Sequence, residues 1–387
     1  MSAILIGVIY LSFISLGLPD SILGAAWPQM HLEIGAAQSA AGSVTLIVCG
    51  CTVISTLISD RLIDRFGTFG VSVVSVFLTA GALIGYSFAS RLWILFIFAA
   101  PMGLGAGAID AALNNVVALH LTARHMNWLH CCWGVGATIG PLLISSQLAR
   151  TGGWHDGYRI ISAIQFGLFA VLLSSKPLWK GLGFPARKEK GAGEKAQPFH
   201  PLRVRGVGSL LVSTFLYCSA ELAAGLWAAS YLVSVRGFSV QSAASAASIY
   251  YAGITAGRFV SGILSGKLSN ERLIVLGQIV SALGVVLFFP SAVPPQLALV
   301  LVGLGLAPIY PCIMHATPRW FGVEHSQRII GLEMSSAYTG LTLMPALLGW
   351  VSGWASLAVY PPMLLCLIAL MSVCTYLIRR AVNGAKQ

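Results

Sequence analysis

The chain has 387 residues, of which 57% are hydrophobic and only 9% charged, with a net charge of +11. A soluble domain carries roughly 25% charged residues, so this composition excludes a water-soluble enzyme, a nucleic-acid binder and a disordered scaffold. It marks an integral membrane protein.

A helix needs roughly 20 mostly apolar residues to cross a bilayer. Runs of that kind occur twelve times: 4–29, 39–59, 68–90, 93–121, 127–149 and 157–175, then 207–234, 241–266, 271–290, 294–316, 327–351 and 356–378. The first run is not a signal peptide, because it lacks a basic start, is too long and carries Asp20. The polar stretch 176–206, rich in Lys, Gly and Pro, separates a half over 1–175 from a half over 207–387. It reads as a solvated linker, with contact to anionic lipid headgroups as the alternative. If the N-terminus is cytoplasmic, 18 of the 23 Lys and Arg fall in cytoplasmic segments, the bias of the positive-inside rule. The basic charge is therefore a topology signal. Both termini are expected in the cytoplasm and the protein in a cell inner membrane, and the absence of any Asn-x-Ser/Thr acceptor favours a bacterial source.

The eight cysteines lie in apolar runs without a Cys-x-x-Cys and read as packing residues. The histidines lack metal-ligand spacing, so neither a metal nor a cofactor is expected.

The two halves echo each other at an offset near 200. Gly103-Leu104-Gly105 matches Gly303-Leu304-Gly305. Asp20, Gly24 and Trp27 answer Glu221, Gly225 and Trp227, and Gly136-(x3)-Gly140-Pro141 answers Gly340-(x4)-Pro345. The fold class is thus an all-α membrane protein of twelve spans in two pseudo-symmetric halves. That is the architecture of an alternating-access carrier, with its solute site between the halves near the midplane.

The twelve spans, the basic central loop and Leu62, Asp64, Arg65 and Gly67 after span two resemble the major facilitator superfamily. Its loop motif runs Gly-x-Leu-x-Asp-Arg-x-Gly-basic-basic, from which Asp60, Thr68 and Phe69 depart. A narrower resemblance is to the fucose-permease-like group of proton-coupled sugar carriers. It rests on Gly105-x-Gly107-x-x-Asp110-x-x-x-Asn114, on Gly17-Leu18-Pro19-Asp20 with Trp27-Pro28, on Gly257-Arg258, and on Ala307-Pro308-Ile309-Tyr310-Pro311. That resemblance implies proton coupling at Asp110 and a sugar as solute.

An ionisable group within a spanning helix costs roughly 2.5–3.5 kcal/mol on insertion scales. Asp20, Asp110, Glu221 and Arg258 are such groups, with Glu333 near the end of span eleven. They should therefore face a polar cavity or pair with one another. Low dielectric disfavours a carboxylate anion, which suits Asp110, Asp20 and Glu221 to proton coupling; a structural hydrogen bond is the alternative for Asp110. Asn114, one turn on, can bond either that acid or a solute hydroxyl. Asp20 and Trp27, seven apart, share a helix face and offer a carboxylate with an aromatic platform, unless Trp27 is an interface anchor. Glu221 and Trp227 take the same places in the second half. Asn127 and His130 share a face of span five, His130 serving as relay or as packing residue. Tyr251, Tyr310 and Tyr338 complete the candidate solute contacts. Asp64, Arg65, Arg258 and Glu333 are candidate charge-pair or gating residues, with Glu221 or Glu333 as the acid facing Arg258.

The favoured expectation is a proton-coupled carrier of a small polar solute, a sugar, working as a monomer among membrane lipids. A Na+-coupled sugar carrier and a proton-antiporting multidrug or metabolite exporter are the alternatives. Exporters carry Gly-x-x-x-Gly-Pro-x-x-Gly-Gly in span five; Gly136, Gly140 and Pro141 begin it, while Ile144 and Ser145 replace its closing glycines. An enzyme is not expected, for no base stands beside a nucleophile.

Overall fold

In a computed structural model of the chain, residues 2–121, 123–179, 200–289 and 292–384 are described. Span one is two helices, α1 (Ala3–Asp20) and α2 (Ile22–Glu33), broken at Ser21 between Pro19 and Pro28. Spans two and three are one helical run, α3 (Ala40–Ser87), reversed at Gly67 with φ 70° and ψ 163°. The stretch read as the loop after span two is thus helical as far as Gly67. A glycine is the residue that adopts this positive φ without a steric penalty.

The first half is completed by α4 (Leu92–His120), α5 (Ala123–Thr151) and α6 (His155–Ser174). Most of the linker, residues 180–199, lies outside the described residues. The second half begins with α7 (Val207–Ser234), α8 (Val240–Leu264) and α9 (Asn270–Val286). Span ten is split into α10 (Pro295–Leu306) and α11 (Ile309–Phe321) at Pro308, which has no amide hydrogen to continue the ladder. Then α12 (Val323–Ala355) and α13 (Tyr360–Gly384) close the chain.

Among the described residues nine stretches are long and apolar enough to cross a membrane. The three spans short of that measure are α8, α9 and α12. Their lower apolarity has a cause in α8 and α12: Arg258 is 17% exposed and Glu333 fully buried, both held within the protein.

The internal repeat is visible as packing. Gly103 lets α4 rest on the Val48 carbonyl of α3, and Gly303 lets α10 rest on the Tyr250 carbonyl of α8. Gly136 seats α5 on the Ile14 carbonyl of α1, and Gly340 seats α12 on the Phe215 carbonyl of α7. Such backbone contact is what membrane helices use in place of a hydrophobic driving force, since lipid is as apolar as leucine.

The halves meet along α5 against α8 and along α3 against α12, with α2 lying on α7 and α8. These contacts concentrate at the end away from the linker. A Cβ on Gly42 would stand 2.6 Å from the Ala346 Cα. Ser145 Oγ donates to the Gln241 carbonyl at 3.0 Å, and Gly24 sits on the Leu226 backbone.

Gly136→Leu should lower the melting temperature by the equivalent of about 1–3 kcal/mol, because the Ile14 carbonyl cannot yield. Gly7→Leu, with nothing within 4 Å of its Cβ position, should leave the melting temperature unchanged. Equal melting of the two variants would refute this packing scheme.

Candidate functional site

Asp20 lies deep in the molecule yet is exposed, as is His130, and Asp110 is partly exposed. Depth with exposure means a solvent-filled space, and these side chains line it from the first half. Asp20 ends α1, which Gly17 presses onto the Trp133 carbonyl of α5. That contact brings the Trp133 indole to the carboxylate, and its Nε1 donates to Asp20 Oδ2 at 2.7 Å.

Across the seam, Arg258 places its guanidinium carbon 5.2 Å from the Trp133 ring centroid. Its Nη2 donates to Glu221 Oε1 at 3.0 Å. The two side chains are 17% and 19% exposed, so each charge depends on the other. Glu221 is also fixed through its backbone, where its carbonyl accepts the Tyr250 hydroxyl at 2.7 Å. Asp20, Trp133, Arg258 and Glu221 thus form a chain of contacts from one half to the other. Glu221, rather than Glu333, is the acid that meets Arg258.

Asp110 carries its own partner. Asn114 Nδ2 donates to Asp110 Oδ1 and to the Asp110 carbonyl, each at 3.0 Å. Asn114 therefore holds the acid, one of the two roles open to it. His130 meets the Phe13 ring edge-on at 6.0 Å. The half-buried Tyr310 stacks on Tyr217 with centroids 5.8 Å apart and planes 12° apart. Tyr338 is half-buried on α12. The side chain of Asn127 lies outside the described residues.

Several expectations are corrected. Trp27 and Trp227, placed at the solute cavity by their spacing from Asp20 and Glu221, are both fully buried. The Trp27 indole donates to the Gln38 carbonyl at 2.7 Å and that of Trp227 to the Pro345 carbonyl at 3.1 Å. The break at Ser21 interrupts the helix face that was to align Asp20 with Trp27. Both rings pack at the closed end, Trp227 against Gly349. Tyr251 is 7% exposed, its hydroxyl filling the slot left by Gly225. Glu333 is fully buried and accepts from Thr317 Oγ1 at 2.7 Å, not from a cation. Among the described residues the ion pairs include neither Glu333, Asp64 nor Arg65. Asp64 and Arg65 are exposed, with Arg65 over the Phe66 ring at 5.6 Å.

The sequence reading missed Trp133 and Tyr217. Trp133 follows His130 by one turn and precedes Gly134, where α8 approaches. An aromatic at that depth is too far inside for an interface anchor, and that was its signal.

A second hollow of about 500 Å³ opens at the closed end, lined by Glu33, Ser87, His155, Asp156 and Arg159. Here Glu33 Oε2 accepts the Trp154 indole at 2.7 Å and lies 3.4 Å from His155 Nε2. These bonds tie the end of α2 to the start of α6.

Arg258→Gln should lower stability by about 3 kcal/mol, since removal of one partner strands a mostly buried charge. The double variant Glu221→Gln with Arg258→Gln should melt above Arg258→Gln alone. A double variant that melts lower would show that the pair is not what balances these charges.

A profile described as Major Facilitator Superfamily matches residues 9–295 and 209–387. The chain is 23% identical over 294 residues to Bypass of stop codon protein 6 of Saccharomyces cerevisiae, a match covering 67% of this chain and 56% of that protein. It is 21% identical over 362 residues to the Fosmidomycin resistance protein of Escherichia coli, covering 90% and 81%. It is 24% identical over 386 residues to Sodium-dependent glucose transporter 1 of Homo sapiens, covering 88% and 72%. The crystal structure of a mutant of the peptide transporter POT superposes with a TM-score of 0.77 at 14% identity, over 98% of this chain and 95% of that one. With two gly-seated six-span halves and a profile match over most of its length, the chain belongs to the Major Facilitator Superfamily of multi-pass membrane transporters.

Proposed function

We propose that the protein carries a small polar solute, a sugar, across the cell inner membrane by alternating access driven by protons. It acts as a monomer with both termini in the cytoplasm. The observation that carries this reading is the placement of Asp110, held by Asn114, and of Asp20 in a solvent-filled space between the halves. A carboxyl group there exchanges protons with whichever side the cavity faces. With the cavity open outward, Asp110 takes a proton and solute binds between the halves. Neutralising the acid lowers the cost of closing low-dielectric surfaces over it. The halves rock, the cavity opens at the linker end, and solute and then proton leave.

The polar groups suit a hydroxylated solute. Asn114 and Asp110 supply donor and acceptor, while Trp133 and Tyr310, backed by the buried Tyr217, supply faces for sugar C–H groups. Likeness to a sodium-dependent glucose transporter is compatible with a sugar and makes Na+ the alternative coupling ion. The reading as an exporter draws on likeness to a drug-resistance protein over 90% of the chain.

In proteoliposomes, a panel of monosaccharides, disaccharides and lipophilic cations should give a pH-dependent current with one or a few sugars. Proton movement with lipophilic cations alone would replace the sugar reading by export. Asp110→Asn should abolish uptake against a gradient and spare exchange of labelled sugar at equilibrium. Loss of both in a folded variant would move Asp110 to solute binding.

A further inference from the structure

Trp133 touches ionisable groups of both halves. Its indole N–H bonds Asp20 in the first half, and its ring face carries Arg258 of the second. The backbone beneath it is immobilised, because α1 and α5 interlock through Gly17, Gly136 and Gly140. The next residue, Gly134, admits Thr255 of α8, so the indole stands beside a close contact between the halves. Arg258 is held on its side by the bond to Glu221, with the Tyr217 hydroxyl beside it, and its Nε is buried without a hydrogen-bond acceptor. From the first half, the guanidinium is met by the Trp133 indole face.

We propose that Trp133 is a positioning residue that couples the charge on Asp20 to the Arg258–Glu221 pair, and thereby ties release of the seam at the closed end to proton binding. This rests on the proton-coupled reading above and adds to it the element that carries the signal across the seam. An anionic carboxylate is a stronger acceptor for the indole N–H than a neutral acid. With that bond made, the ring is fixed with its electron-rich face toward Arg258, a cation–π arrangement. A proton on Asp20 weakens the bond and frees the ring to turn. Arg258 then keeps only its partners within the second half, Glu221 first among them, and the middle of the α5–α8 seam loses its attraction between halves. By linkage, the arrangement that binds the proton more tightly is the one that the proton favours.

Other charged or titratable groups face these two positions. Around Asp20 they are Asp110 on α4, Cys49 on α3 and Tyr251 on α8. Around Arg258 they are Tyr217 and Cys218 on α7, Tyr250 on α8, and His130 and Cys131 on α5. Trp133 differs from all of these in bonding the acid of one half while covering the cation of the other.

The test uses the full chain and the proton as its only ligand. Nitroxide labels on Ala37→Cys and Ala355→Cys, exposed at the closed end of each half, report the separation of the halves by pulsed electron resonance. The eight native cysteines are replaced by alanine. Between mildly alkaline and mildly acid pH the parent should shift population from a short to a long distance. Trp133→Phe keeps a ring over Arg258 but cannot donate to Asp20; it should lose most of that shift with its melting temperature unchanged. Asp20→Asn should lose the same part of the shift, and the double variant no more than either single one, the mark of two residues acting on one pathway. A Trp133→Phe protein that keeps the parent's shift overturns the inference and leaves proton coupling standing. Losses that add in the double variant overturn it as well. A parent that ignores pH overturns both.

Discussion

A charge half-way across a bilayer persists only beside water or a counter-charge, and the arrangement of this molecule follows from that constraint. Glu221 and Arg258 meet at 3.0 Å inside the second half, while Asp20 and Asp110 in the first half are reached by solvent. Removing the cavity would strand two acids, and removing the ion pair would strand a third acid and a cation. The ionisable groups and the open space between the halves therefore require each other. A polar centre of this kind needs helices that come close on the outside and stay apart in the middle.

Close approach is supplied by small residues. In lipid, apolar side chains gain little from meeting one another, so association depends on van der Waals contact between well-fitted backbones. Gly103 and Gly303, and Gly136 and Gly340, make the same contact at matching places in the two halves. Each half is thereby a rigid body, and Ser15 with Gln165 reinforces the first by a reciprocal pair of hydrogen bonds at 2.8 and 2.7 Å. Rigid bodies sharing a narrow seam can rotate about it without repacking their own interiors.

The fold was legible in the sequence because its signals are periodic and duplicated. Span length, loop charge and the offset of the glycine pairs all point to the same two halves. The ionisable groups were legible too, since each stands out in an apolar run. What escaped was direction. Trp27 and Trp227 were placed by spacing along an unbroken helix, yet Ser21 breaks the first, and the indoles turn to backbone carbonyls, Trp27 to Gln38 in the turn before α3 and Trp227 to Pro345 of α12. Tyr251 was aimed at the cavity and fills the notch left by Gly225. Trp133 hid for the converse reason: only its depth in an apolar run sets it apart, and its role shows when a carboxylate from another helix reaches its N–H. Which side chains meet across helices is decided by tertiary geometry, and a one-dimensional pattern records it only where a glycine announces the contact.

The closed end is held by contacts of Gly24, Gly42 and Gly349 with backbone or ring atoms, and by neutral hydrogen bonds such as that from Ser145 to the Gln241 carbonyl. Dissolved ions screen interactions between exposed charges, over a Debye length of about 10 Å at 0.1 M, and leave dispersion contacts and neutral hydrogen bonds untouched. A gate assembled from such contacts opens at much the same rate in dilute and in concentrated salt. The closed end of this protein is thus held by the class of interaction least sensitive to ionic strength.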